Sequence, residues 1–210
     1  LGYTLAAGTS NATRSPTNDT MRIAFYNNDS IPLTGGIEYH TLNIGSLVTS
    51  NLTSAFPGSN RRSNSQFLLL ASDLYAAGVR PNAPISQIGF NVTAKYSTAP
   101  FIGYTVSMAN TALADLSTAF ATGLTTVYTG NYTTFVGLDT LDFNSGTFTW
   151  DGVSNVAVQV CFGQNAAAFS QNDRMDGIQG GGIICDHNQT NAGAGTGCSL
   201  TYSAANQSNA

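Results

Sequence analysis

The sequence predicts an all-β chain, an antiparallel β-sandwich of jelly-roll type with short capping helical turns, and three observations carry that prediction. Apolar residues alternate with polar ones over many short segments, and Gly, Asn, Asp and Pro punctuate those segments at short intervals. No long run shows the apolar period of about 3.6 residues that a surface helix needs. A chain of 210 residues organised in this way fits one large sandwich with a sizeable core. An immunoglobulin-like arrangement is the next candidate, but one such domain needs only about 100 residues.

Taken in order, Thr20 to Asn27 reads as a strand with Met21, Ile23 and Phe25 on one face, and Ile37 to Ile44 as another short strand. Phe67-Leu-Leu-Leu-Ala71 is apolar on both faces, as a covered central strand is. Ser72 is placed to cap a short helix, Asp73 to Ala77, which Gly78 ends. Ile88, Phe90, Val92, Ala94 and Tyr96 alternate with polar residues, and Ile102, Tyr104, Val106 and Met108 answer them, so the two runs are expected to pair as a hairpin through Ser97 to Pro100. Asn110 to Gly123 reads as a connector, and Thr125 to Thr129 and Tyr132 to Val136 as strands. Phe148 and Trp150 share a face before the turn at Asp151-Gly152, and Val156, Val158, Val160 and Phe162 share one after it. A second hairpin is expected here, with the only Trp packed beside the Val row. Beyond Gly163 the pattern fades until Ile183-Ile-Cys185 and a last short strand, Ser199 to Ser203.

Composition bounds the function. Charged residues are 9% of the chain, with one Glu (Glu38) and one Lys (Lys95), while Ser, Thr, Asn and Gly dominate the polar positions. Such a surface suits a secreted, extracellular or cell-surface protein. The net charge of −4 argues against nucleic acid, whose affinity rests on cations neutralising phosphates. No apolar run is long enough to span a bilayer, and the Leu1 start lacks a basic stretch followed by an apolar core, so a secreted form is expected to be already mature. Of three cysteines, Cys185 and Cys198 lie in Gly- and Asn-rich sequence where they meet easily, and they are the expected disulfide. Cys161 belongs to a strand and reads as a small covered apolar residue.

No catalytic set emerges, and no cofactor is expected. Glu38 and His40 share a face of a strand without a nearby third ligand, which reads as a solvated edge. With a single Glu, paired carboxylates for glycoside hydrolysis have to be Asp pairs in loops. Asn172, Asp173 and Asp176, with Asp186, His187 and Asn188, offer hard oxygen donors that suit calcium, against their ordinary use as turn formers. A covalent crosslink from Lys95 would need that side chain buried beside a carboxylate, and its position on a polar face argues otherwise.

The run from Phe148 to Phe162, with Gly123-Leu-Thr-Thr-Val-Tyr128, Leu74-Tyr-Ala-Ala-Gly-Val79 and Ile88-Gly-Phe-Asn-Val92, resembles a β-sandwich module recurring in large secreted surface proteins of Bacteroidetes-type bacteria. The resemblance spans roughly residues 42 to 162 and implies an adhesin-like cargo of type IX secretion with no assigned catalytic residue. It also implies O-glycosylation at Thr20, Ser30 and Thr140, each preceded by Asp and followed by an apolar residue. The function it implies is a structural subunit or repeat of an extracellular filament or adhesin, whose partners are copies of itself. The alternative is a carbohydrate-binding module that presents Tyr96, Tyr104, Tyr128 and Tyr132 to glycans. In the resembling family a closing strand of the form Arg-Pro-x-Ile-Arg-Phe follows the cysteine-bearing stretch. Here a comparable string, Arg14 to Phe25, stands at the start instead. That implies a division into an N-terminal strand segment, residues 1–41, and a sandwich, residues 42–210. Met21, Ile23 and Phe25 would then complete a neighbouring subunit head to tail.

Overall fold

The structure, a computed structural model, describes residues 21–26, 39–43, 49–52, 55–163, 165, 168–177, 185–192, 195–203 and 207–208. Its strands are β1 (Met21–Tyr26), β2 (Tyr39–Asn43), β3 (Thr49–Leu52), β4 (Arg62–Leu69), β5 (Pro84–Ala94), β6 (Phe101–Thr111), β7 (Thr125–Tyr132), β8 (Gly137–Asp142), β9 (Phe148–Thr149), β10 (Asn155–Phe162), β11 (Arg174–Gly177), β12 (Cys185–Thr190) and β13 (Gln207–Ser208). One helix, α1 (Ala71–Ala77), follows β4. The strands form two antiparallel sheets packed as a sandwich, as the alternation predicts.

The seven-stranded sheet is built around β5. On one side β5 pairs with β9 and then β8; on the other it pairs with β1 and then β11. β2 lies beyond β1, and β3 beyond β11. The six-stranded sheet runs β13-β12-β4-β10-β6-β7. The inward rows, Ile88, Phe90 and Val92 of β5 and Val156, Val158, Val160 and Phe162 of β10, belong to one buried cluster with Phe67, Tyr104, Val106, Met108 and Trp150. Burying a large apolar side chain of this kind stabilises by about 1.5–3 kcal/mol.

Two expected hairpins turn out to be corners. β5 and β6 lie in different sheets, as do β9 and β10. Alternation reports that one face of each run is buried, but facing a partner across the core and standing beside it produce the same pattern. Trp150 closes the second corner, fully buried, with its Nε1 donating to the Ser154 carbonyl at 2.7 Å. Asp151 Oδ1 accepts from the Val153 and Ser154 N–H groups at 2.9 and 2.8 Å, which holds the corner's shape.

The described part of the N-terminal segment, β1, belongs to the sandwich. β1 hydrogen-bonds to β2 and β5 of its own chain, in a register that sets Met21 opposite Phe90 and Ile23 opposite Ile88. The boundary at residue 41 also falls inside β2. The edge that Met21, Ile23 and Phe25 were expected to fill in a neighbour is therefore filled at home, and donation of that strand is corrected. Thr125 to Tyr132 is one strand, and residues 133–136 form a corner rather than a strand. Ser72 lies within α1 rather than at its cap. Leu70 is the N-cap with no side-chain hydrogen bond, and Gly78 ends the helix in the left-handed region at φ 90°.

A second layer covers the outer face of the six-stranded sheet. Leu68 and Ala157 pack there against Leu116 and Ala121 of the connector. Buried Gln66 clamps it: Nε2 donates to the Ala121 carbonyl at 3.1 Å and to Gln159 Oε1 at 2.9 Å, while Oε1 accepts from Ala121 N at 2.7 Å. The disulfide joins Cys161 of β10 to Cys198, with Cα atoms 5.0 Å apart, and replaces the expected Cys185–Cys198 bond. Backbone contact explains the difference. A Cβ on Gly197 would lie 2.0 Å from the Phe162 carbonyl oxygen, so a glycine there lets the 3-10 turn Gly197–Ser199 press directly onto the end of β10. The expected strand Ser199 to Ser203 is not formed: Ser199 closes the 3-10 turn and residues 200–203 continue as irregular chain, tied by Asn64 Nδ2 to the Leu200 carbonyl at 2.7 Å. In β12, Cys185 stands opposite Phe67.

Closing a loop of sequence separation 37 should stabilise the fold by roughly 4 kcal/mol. Cys198→Ser should lower the denaturation midpoint accordingly, and unreduced peptide maps should link Cys161 to Cys198. A map linking Cys185 to Cys198 would overturn the pairing.

Candidate functional site

The most constructed polar arrangement among the described residues lies at one pole of the sandwich, where β5 ends, β7 hands over to β8 and β11 begins. Asp173 is fully buried there and accepts four hydrogen bonds. Tyr96 N and Ser97 N donate to Oδ1 at 2.5 and 2.6 Å, and Ser97 Oγ and Thr134 Oγ1 donate to Oδ2 at 2.7 and 2.6 Å. A buried carboxylate is tolerated when donors surround it in this way. Lys95 Nζ donates to the Thr134 carbonyl at 2.6 Å and lies 5.9 Å from the centre of the Phe135 ring.

A second carboxylate supports the same corner. Asp139 Oδ1 accepts from the Tyr132 hydroxyl at 2.6 Å and Oδ2 from Phe135 N at 2.8 Å. Burial pushes its pKa up from the usual Asp value and Asp173 adds to that, outweighing the Tyr132 and Phe135 hydrogen bonds and the positive field of Lys95. Burial also pushes the Tyr132 and Tyr104 hydroxyls well above the usual Tyr range, so neither offers a proton acceptor near neutral pH.

These groups are spent on the chain itself. What the corner presents outward is apolar: Phe135, Val136 and Leu138 are exposed, with Phe135 and Val136 at 66% and 67%. These exposed apolar residues stand together on a backbone held at Thr134, Phe135 and Asp139 and form a projecting apolar tip. Sequence reading missed the tip because Tyr132 to Val136 looked like one strand. The available signal was two threonines leading into Phe-Val-Gly, with apolar residues adjacent instead of alternating.

Compared with known protein families, curated proteins and solved structures, the chain matches none.

The other sequence candidates are dispersed. Asn172 Oδ1 accepts from Ser59 N at 2.7 Å, Asp176 accepts from Asn91 Nδ2 at 2.5 Å and Asp173 is saturated as above. Among the described residues no group of three His, Cys, Asp or Glu side chains is arranged to hold a metal. Asp186 and His187 lie in β12, and Asn188 Nδ2 donates to the Thr201 carbonyl at 2.7 Å. His40 lies in β2, and Glu38, Thr20 and Ser30 lie outside the described residues. Thr140 is exposed on β8, beside buried Asp139. Tyr104 and Tyr132 are buried and stacked with ring centres 4.9 Å apart, next to Phe56. Tyr128 packs on the same core, and Tyr96 lies under the Arg174 guanidinium. The four tyrosines thus do not line one open groove.

Two outcomes test the corner. Asp173→Ala strands the backbone N–H groups of Tyr96 and Ser97, at about 1–3 kcal/mol each, so the variant should lose about 2–6 kcal/mol in urea unfolding. For Asp139 the folded pKa is raised, so the stability it supplies is full below about pH 4, the unfolded value, and is lost as the pH rises through the folded value. In a carboxyl-carbon NMR titration Asp139 should titrate above Asp115, which the Ser117 hydroxyl and N–H hold below the usual range. An Asp139 midpoint at or below that of Asp115 would contradict the assignment.

Proposed function

We propose that the chain is a non-catalytic structural subunit or repeat of an extracellular bacterial filament or surface adhesin, working with copies of itself. The observation that carries this reading is the projecting apolar tip, Phe135, Val136 and Leu138, displayed on a corner whose polar groups are consumed in holding it. The disulfide adds support, because such bonds persist in oxidising compartments outside the cytosol. No helix among the described residues is long and apolar enough to cross a membrane. Low charge and hydroxyl-rich strands suit a subunit that packs against neighbours. Thr140, exposed on β8, is the described position open to the proposed O-glycosylation. Since β1 is held in its own sheet, assembly is assigned to surfaces rather than to exchange of that strand.

Sedimentation velocity at rising concentration tests the reading. The protein should pass from monomer to a distribution of larger species, and electron microscopy of the concentrated sample should show linear arrays. A protein that stays monomeric up to its solubility limit and binds a glycan array tightly would replace this reading with the carbohydrate-binding one.

A further inference from the structure

The ladders define two poles. Phe101 of β6 pairs with Tyr132 of β7, β10 ends beside Ile102, and β5 runs out toward Lys95, so the Phe135 tip stands at the pole where those strand ends meet. At the other pole, Thr149 pairs with Pro84 at the start of β5, and Asn110 near the end of β6 bonds to Thr149 and Asp151. The corner at that second pole is also exposed and apolar. Val153 is 79% exposed, and Tyr75 of α1 stands beside it at 52%, its hydroxyl donating to the Gly152 carbonyl and its ring 4.8 Å edge-on from Trp150. The eleven residues of β5 separate the poles by about 36 Å.

Charge differs between the poles as well. Arg61, Arg62, Lys95 and Arg174 gather at the first, while the carboxylates nearest it, Asp139, Asp173 and Asp176, are buried. At the second, Asp73, Asp115, Asp142 and Asp151 reach the surface and Arg80 is the one cation among the described residues. Docking like poles would set cation against cation or acid against acid. Docking unlike poles sets an apolar centre inside a complementary charged rim.

Resting on the reading above, we infer that successive copies dock head to tail, with Phe135 and Val136 of one copy seated against Val153 and Tyr75 of the next. The contact is heterologous and the two poles lie at opposite ends of the strands, so every oligomer keeps one free pole of each kind, one at either end, and grows as an open chain. Its axial repeat is on the order of 40 Å, one sandwich length.

The experiment uses two surface variants, the double variant Phe135→Ser with Val136→Ser, and Val153→Lys, each checked for an unchanged melting temperature. Sedimentation of each alone should show self-association at least tenfold weaker than the wild type. An equimolar mixture should form one-to-one dimers and stop there, because the remaining intact pole of one variant fits the intact pole of the other and both outer poles are blocked. If the wild type assembles and either variant assembles equally well, the pole contact is wrong while the homopolymer reading survives. If either variant alone forms dimers through its intact pole, the contact joins like poles, and if both are blocked and the mixture stays monomeric, the two poles do not face one another; either result overturns the head-to-tail assignment. If the wild type itself never assembles, the homopolymer reading falls, and this contact with it.

Discussion

Everything in this sandwich is positioned by two central strands, β5 and β10, whose inward rows meet in one buried cluster. A sheet strand offers two edges and two faces. In β5 both edges are used, by β8 and β9 on one side and by β1 and β11 on the other, while its inward face packs on the core. β10 is enclosed by β4 and β6 in the same manner. With both centres saturated, connections that leave one sheet have to enter the other at the ends, and the corners fall at the poles. The pole at the end of β5 therefore carries the buried Asp173 and Asp139 network, since backbone leaves the ladders there and its N–H groups need other partners.

The outer layer answers a different demand. The outer face of the six-stranded sheet carries Leu68 and Ala157, which an exposed sheet would leave wet. Leu116 and Ala121 cover them, Gln66 reads both backbone groups of Ala121, and the bond from Cys161 to Cys198 fixes the later chain to the same face. Tyr202 extends that layer by bonding its hydroxyl to the Ser117 carbonyl and setting its ring edge-on to Phe120. The connector and the tail thus hold each other as well as the sheet.

How much of this was legible depended on range. The strands with clean alternation, β5, β6 and β10, were found because a period of two is a local property of a half-buried strand, but Ile102, placed in the inward row of β6, is exposed and Phe101 is buried instead, since the register shifts at Gly103. Their partners were not found, since Phe90 beside a Val row and Phe90 across from one look alike in sequence. Cys161 was misread because its neighbours are apolar and nothing local shows that Gly197 brings a backbone onto β10. Asp173 was singled out as a candidate oxygen donor; its use by Ser97 and Thr134, distant in sequence, requires the fold to be known first. The Phe135 tip lay hidden in a run whose composition suits a strand and whose place in the fold does not.

Because the corners stand at the ends of the strands, a force applied from pole to pole runs parallel to β5 and β10. The hydrogen bonds of an antiparallel ladder lie across that direction, so such a load shears many of them together instead of peeling them one after another. Phe135 at one end and Trp150 with Val153 at the other are held by hydrogen bonds to Asp139, the Ser154 carbonyl and Asp151, so tension passes into the ladders before it can unravel a loop. The same placement of corners that follows from saturating two central strands makes the molecule stiffest along the strand direction.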